Sequence, residues 1–144
     1  MKICFDSTIL IEIARKRQES IDLTKNLMEN SHEIIISAVT VSEILAGVHR
    51  RENHEKAEQE AKTVLSQFDW ISLNGEIAKK TGKLMAYLYQ NGMIIEYQDV
   101  AIAATAIETN SDYLITLNKK HFERLPELKG KVFTPPEFTK KIRL

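Results

Sequence analysis

Short apolar runs without alternation, separated by amphipathic segments, are the feature of this sequence that most restricts its fold. KICF and EIIIS contain consecutive apolar or β-branched residues, and WISL, DYLIT and KVFT follow a weaker version of the pattern. Runs of this kind are typical of strands that are covered on both faces. Strands that alternate with helices favour a parallel sheet with a layer of helices on each side.

The segments between these runs show helical periodicity. VAIAATAI is apolar all round, which predicts a central, covered helix. Asn91-Gly92 is predicted to end a helix, and Thr134-Pro135-Pro136-Glu137 is predicted to begin one. Two apolar stripes predict further helices, one on Ala57, Ala61, Val64, Leu65 and Phe68, the other on Ile77, Thr81, Leu84, Met85 and Leu88.

Size and charge set broad limits. A chain of 144 residues without a low-complexity linker predicts a single domain over 1–144. Lys and Arg number 20, as do Asp and Glu, so the net charge indicates no partner. A nucleic-acid-binding protein with this balance needs locally clustered charge or a metal ion.

The cysteine and histidine residues indicate which cellular compartment and which kind of metal site to expect. The only cysteine, Cys4, lies in the first apolar run, where we expect it to pack, and it has no partner for an internal disulfide. No apolar run approaches the roughly 20 residues that span a bilayer. We therefore expect a cytoplasmic protein without a membrane partner. The spacing of His32, His49, His54 and His121 predicts no zinc-type pairing.

Polar residues follow the predicted strands. Asp6 comes directly after KICF, Glu43 lies one turn into the helix that follows EIIIS, Asp99 precedes VAIAATAI, and Asn118 follows DYLIT. Ligands bind outside the carboxyl ends of the strands in an open parallel sheet. We therefore expect these four residues to face one edge.

Each of these residues also has a structural explanation. Asp6 and Asp99 could cap helices, Thr40 and Glu43 could form a capping box, and Asn118 could occupy a turn. Taken singly, the structural explanations are favoured. Taken together, three carboxylates at one crevice would repel one another unless a divalent cation lay among them. Mg²⁺ and Mn²⁺ prefer such oxygen ligands, and such ions support phosphodiester hydrolysis.

Four segments, in order, resemble the PIN-domain ribonucleases and, within them, the VapC-type toxins of toxin–antitoxin pairs. They are FDSTILIE, SAVTVSEILAGV, TGKLMAYLYQNGMIIEYQDVAIAATAI and DYLITLNKKHFERLPEL. The resemblance implies a three-layer α/β/α fold with a central parallel sheet of four or five strands. It also implies a Mg²⁺- or Mn²⁺-dependent endoribonuclease that forms a homodimer and is blocked by a cognate antitoxin protein.

The resemblance assigns site residues by position. Asp6, Glu43 and Asp99 match the metal-binding catalytic acids. Asn118 stands where many relatives have Asp, and it could still ligate through its carbonyl or orient a water. His121 stands where some toxins have an acid, so we expect one tightly held ion.

Further candidates surround these positions. The hydroxyls of Ser7, Thr8 and Thr116 could hold the Asp6 carboxylate or a metal-bound water. Glu96 is the next acid that we would place near the crevice. Lys119 and Lys120 are the first candidates to contact the RNA backbone, ahead of the basic runs at 15–17 and 49–51.

The expected reaction is hydrolysis of single-stranded or looped RNA by water, which leaves 5′-phosphate and 3′-hydroxyl ends. One alternative is a PIN-like module that binds nucleic acid or protein without turnover. Another is a phosphatase or phosphoacceptor domain, which would need a second Asp two residues after Asp6, where this chain has Thr8.

Overall fold

The computed structural model describes residues 1–143 and contains a sheet of five parallel strands in the order β3-β2-β1-β4-β5. The expected parallel sheet between helices is therefore confirmed, and each predicted run contributes one strand. The strands are β1 (Lys2–Phe5), β2 (Glu33–Ser37), β3 (Asp69–Ile71), β4 (Tyr113–Ile115) and β5 (Val132–Phe133).

Helices connect the strands and cover both faces of the sheet. They are α1 (Ser7–Ala14), α2 (Gln18–Glu29), α3 (Ala38–His49), α4 (Glu55–Leu65), α5 (Gly75–Gln90), α6 (Tyr97–Glu108), α7 (Lys119–Glu123) and α8 (Pro135–Ile142), with a 3₁₀ turn at Pro126–Leu128. The sequence did not predict α2, and Phe68 lies beyond the end of α4, where its ring packs 5.7 Å from that of Phe5. None of the helices within residues 1–143 combines the length and apolar character needed to cross a membrane.

Alternate residues of β1, β2, β4 and β5 enter two separate cores. Cys4, Ile35 and Leu114 pack against α5 and α6 on one face, whereas Phe5 and Ile36 belong to a second core on the other face. Cys4 is fully buried, and this burial raises the pKa of its thiol. Residues 100–106 of α6 are all buried, which confirms the prediction of a covered helix.

The helix ends follow local chemistry. Gly92 has φ +66° directly after α5, and Thr134 forms a capping box with Glu137 at the start of α8, as predicted. The capping box considered for Thr40 and Glu43 is wrong. Ser37 is the N-cap of α3 and accepts a hydrogen bond from the Val39 N–H, so Thr40 lies inside the helix.

Strand order determines where a crevice forms. β1 lies at the centre, with β2 on one side and β4 on the other. The chain leaves β1 through α1 towards β2 and returns to β4 on the opposite side. Such a reversal opens a crevice at the carboxyl ends of the two adjacent strands. Here those ends carry Asp6 and the loop 116–118.

Candidate metal centre

Asp6 connects β1 to α1 and has a buried side chain, 1% exposed. It occupies the N-cap position of α1, but its carboxylate makes no capping hydrogen bond. Instead, Oδ2 accepts hydrogen bonds from Thr8 Oγ1 at 2.8 Å and Thr116 Oγ1 at 2.7 Å. The interpretation of Asp6 as a side-chain helix cap is therefore wrong. Both hydroxyls therefore bind Oδ2 and not Oδ1.

The two threonine hydroxyls are themselves oriented by the loop after β4. The backbone N–H of Leu117 donates to Thr8 Oγ1 at 3.0 Å, and the N–H of Asn118 donates to Thr116 Oγ1 at 2.9 Å. A hydroxyl that accepts from a backbone amide directs its only proton elsewhere. Both protons therefore point to Asp6, which ties this carboxylate to the ends of β1 and β4.

Glu43 enters the crevice from α3. Ser7 Oγ donates to Glu43 Oε1 at 2.7 Å and also lies 3.1 Å from Thr40 Oγ1. Burial raises the pKa of Glu43, the hydrogen bond from Ser7 lowers it in part, and the negative charges of Asp6, Asp99 and Glu96 raise it further. The side chain is thus held beside other acids in a setting that disfavours its charge.

Asp99 lies in the first turn of α6, two residues after the helix begins at Tyr97, and the N-cap position belongs to Glu96. Burial and then the charge of Asp6 raise the pKa of Asp99, and a hydrogen bond with His121 lowers it. His121 Nδ1 lies 3.5 Å from Asp99 Oδ2. The exposed Glu96 adds repulsion to both Asp99 and Glu43.

The start of α1, helix α3 and helix α6 are distant in sequence. Together they bring Asp6, Glu43 and Asp99 close enough for their charges to interact. Within residues 1–143, only one group of three His, Cys, Asp or Glu residues places its ligand atoms within 4.8 Å of one another, and that group lies outside this crevice. The acids are therefore spaced more widely than a closed cage. An open set of carboxylate oxygens fits Mg²⁺ or Mn²⁺, which bind through one or two carboxylates and retain several waters.

The loop after β4 adds polar and basic groups beside the acids. Asn118 is exposed at the N-cap position of α7 and makes no capping hydrogen bond through its side chain. Lys119 Nζ lies 2.9 Å from Glu137 Oε2 and 3.4 Å from Glu123 Oε1, so its charge is shared with two acids. Lys120 is exposed.

A cavity of about 420 Å³ extends from Ser7 and Glu43 along α1, α3 and α4. Its lining includes Arg15, Arg50 and Arg51. The sequence placed these arginines in two separate basic runs, which the fold now brings to one groove beside the acids.

The sequence missed one group of metal-ligand side chains. His49, His54 and Glu58 place one ligand atom each within 4.8 Å of the others. Two of the four histidines thus lie together, which their spacing along the sequence did not predict. His49 ends α3 and His54 precedes α4, so the contact depends on the turn between two helices and not on a spacing along one helix.

Comparison with known proteins extends over nearly the whole chain. The family model described as PIN domain matches residues 3–128. Ribonuclease VapC1 of Methanocaldococcus jannaschii is 33% identical over 92% of this chain and 87% of its own length. Ribonuclease VapC19 of Mycobacterium tuberculosis is 35% identical over 85% of this chain and 94% of its own. The crystal structure of VapBC2 from Rickettsia felis bound to a DNA fragment from its promoter superposes with a TM-score of 0.83 at 27% identity, covering 93% of this chain and 98% of the other.

Proposed function

Because the chain belongs to the PIN domain family and to its VapC-type branch, we propose that it is a metal-dependent endoribonuclease, the toxin of a toxin–antitoxin pair. The observation that supports this most directly is the meeting of Asp6, Glu43 and Asp99 at the crevice beside β1 and β4.

Asp6, Glu43 and Asp99 would hold Mg²⁺ or Mn²⁺. Such an ion supplies positive charge for a scissile phosphate and lowers the pKa of water enough to make it a nucleophile at neutral pH. An all-oxygen ligand set favours these hard cations over softer metals. Asn118, at the edge of the same crevice, offers one further carbonyl oxygen.

The residues around the acids keep them in place. Thr8 and Thr116 fix the Asp6 carboxylate through Oδ2, and Ser7 fixes Glu43 through Oε1. Such supporting hydrogen bonds orient ligands and raise metal affinity. His121 favours the charged form of Asp99, which a cation requires.

RNA would reach the acids along basic surfaces. The groove lined by Arg15, Arg50 and Arg51 starts at Glu43, and Lys119 and Lys120 lie on the other side, beside Asn118. Arginine binds phosphate with two donors at once, which suits a backbone track. We propose that the RNA backbone follows the arginine groove, crosses the acids and leaves beside Lys120.

Two protein partners belong to the proposal. The solved relative from Rickettsia felis is described as a VapBC complex, and we propose that this chain likewise binds an antitoxin protein and forms a homodimer. Tyr89 and Ile94 are 86% and 92% exposed near the end of α5, which supports a protein contact at this surface. The mass of the purified chain by light scattering tests the dimer.

RNA cleavage by the purified chain tests the enzyme. We expect cleavage with Mg²⁺ or Mn²⁺, none with EDTA, and products that carry 5′-phosphate and 3′-hydroxyl ends. Asp6→Asn should abolish cleavage, whereas Asp22→Asn, an exposed position on α2, should not. Cleavage that survives EDTA, or ends that carry a 2′,3′-cyclic phosphate, would contradict the mechanism. Mn²⁺ binding without cleavage of any RNA would favour the non-catalytic binding module.

A further inference from the structure

The turn between α3 and α4 brings together the side chains of three potential metal ligands. His49 is the last residue of α3, His54 is the N-cap residue of α4, and Glu58 lies in the first turn of α4. One ligand atom of each lies within 4.8 Å of the other two. None of the three belongs to the acid crevice.

The distances suit a tetrahedral ion. Zinc binds imidazole nitrogen and carboxylate oxygen at about 2.0–2.2 Å, which places neighbouring tetrahedral ligands about 3.3 Å apart. His49 Nε2 lies 3.6 Å from Glu58 Oε1, and the two imidazole rings are 4.9 Å apart at 67°. Small side-chain rotations would therefore close the set around one ion.

A backbone carbonyl already orients one imidazole. His54 Nδ1 lies 3.2 Å from the carbonyl oxygen of Arg51, so Nδ1 carries the proton and donates it there. The lone pair is then on Nε2, the atom left to bind a metal. Histidines that bind metals commonly donate their other ring nitrogen to a carbonyl in this way.

The local charges also allow a cation. A hydrogen bond from Lys62 lowers the pKa of Glu58. Lys62 Nζ lies 3.3 Å from Oε1 and would compete with a metal ion for this oxygen. The Lys62 side chain is 64% exposed and can rotate into solvent.

We propose that His49, His54 and Glu58 form a second metal site that binds Zn²⁺, with water completing the coordination. Two imidazoles and one carboxylate are a ligand set that zinc accepts readily, whereas Mg²⁺ and Mn²⁺ prefer the oxygen ligands of the acid crevice. The two sites thus select different ions.

Zinc binding at this site would connect two helices. An ion held by these residues joins the end of α3 to the start of α4 and fixes the turn between them. That turn carries Arg50 and Arg51, which line the groove leading to Glu43. Zinc would therefore stabilise the part of the groove that holds these two arginines.

Zinc titration of the full chain by calorimetry, in excess Mg²⁺ to occupy the oxygen ligands, tests the site directly. We expect one Zn²⁺ per chain, and an affinity at least about tenfold lower in His54→Ala and in His49→Ala. His32→Ala is the matched control and should bind zinc like the parent, because His32 contacts the N-terminal amine and lies outside the group. Glu58→Gln, which changes only one charged oxygen, should also weaken binding.

Two further measurements make the result decisive. Circular dichroism must show that each variant has the helix content of the parent. Imidazole resonances followed by NMR should shift for His49 and His54 on adding Zn²⁺ and stay in place for His32. Equal zinc affinity in parent and His54→Ala would overturn the proposal, as would zinc binding that disappears only in Asp99→Asn. Both readouts are independent of RNA cleavage, so they stand whether or not the chain is a ribonuclease.

Discussion

Two groups of acids flank the loop that follows β4: Asp6, Glu43 and Asp99 form the first, and Glu137 and Glu123 form the second. The fold raises the pKa of Glu43 and Asp99 and lowers that of Glu137. Glu43 and Asp99 are partly buried beside Asp6, and burial followed by like charge raises the pKa of Asp99. Glu137 is exposed, and a 2.9 Å hydrogen bond from Lys119 lowers its pKa. Lys119 pairs with Glu137 in the second group, whereas in the first group His121 contacts Asp99 at 3.5 Å and burial and like charge still raise its pKa.

This contrast separates a structural ion pair from a site that requires a ligand. Exposed pairs such as Lys119 and Glu137 contribute little to stability and occur on many surfaces. Carboxylates gathered with few cations oppose folding, so a fold that retains them has a use for their charge. The meeting of Asp6, Glu43 and Asp99 in one crevice supports the proposal that it is a site of the second kind.

The largest expected difference between the two groups is in RNA cleavage. Asp99→Asn should reduce cleavage by more than about 100-fold, because loss of even an indirect partner of a metal ligand costs about 10- to 100-fold. Glu137→Gln, the matched control, should stay near the parent rate. Rates are measured with Mg²⁺ on one RNA, after unfolding curves have shown that both variants fold. Comparable rates in the two variants would remove the distinction.

The hydrogen bonds that hold the Asp6 carboxylate predict a smaller reduction in RNA cleavage. Thr116→Val removes the proton that reaches Asp6 Oδ2 and should reduce cleavage by about 10- to 100-fold. It should also lower the free energy of unfolding by about 1–3 kcal/mol, because Asp6 Oδ2 loses one of its two donors and the Asn118 N–H loses its acceptor. Chemical denaturation measures the second effect.

Thr105→Val is the matched control for this change. Thr105 is equally buried, but its hydroxyl donates to the Ala101 carbonyl within α6 and touches none of the acids. Cleavage should be unchanged in this variant. A loss of cleavage in Thr105→Val as large as in Thr116→Val would show that buried threonines act through general stability and not through Asp6.

The pH dependence of stability should have opposite signs in the two groups. Glu43 and Asp99 bind protons more tightly in the folded state, so in EDTA their contribution falls as pH rises above about 4 and through their raised pKa values. Glu137 contributes above its unfolded pKa and loses this contribution as pH falls through its lowered one.

Urea unfolding in EDTA between about pH 3 and pH 8 measures these slopes. Glu43→Gln should reduce the loss of stability towards high pH, and Glu137→Gln should reduce the loss towards low pH. Adding Mg²⁺ should restore stability at high pH, by about 2.7 kcal/mol at a concentration 100 times the dissociation constant. An unchanged slope in Glu43→Gln would place this side chain outside the cluster of interacting charges.

Much of the acid crevice could be predicted from the sequence, because ligands bind at the carboxyl ends of the strands in an open parallel sheet. Asp6 directly follows an apolar run, and parallel strands end at the same edge, so its position could be predicted without coordinates. Glu43 lies on the helix after β2, the neighbour of β1, and follows the same rule. Asp99 lies at the start of α6, which follows helix α5 and leads into β4. Their depth of burial and the hydrogen bond from Ser7 depend on packing, which the spacing does not encode.

Other features could not be predicted because they depend on contacts across turns or between distant segments. Helix α2 buries Leu23 and Leu27 beside the small polar residues Ser20 and Thr24, which dilutes the apolar stripe. His49 and His54 meet only because of the angle between α3 and α4. Lys119 pairs with Glu137, which lies 18 positions later in the sequence, and no local pattern indicates this ion pair.

The smallest expected effect concerns the two lysines beside the crevice. Lys120→Ala should reduce the slope of log affinity against log salt by about 0.7 for single-stranded RNA, the value for one lost phosphate contact. Lys119→Ala should reduce it by less, because Glu137 and Glu123 already share the Lys119 charge. Filter binding in the Asp99→Asn background measures this without cleavage, with Lys25→Ala on α2 as control. A larger change in Lys119→Ala than in Lys120→Ala would mean that RNA phosphate displaces Glu137, and the second group of acids would then belong to the RNA site.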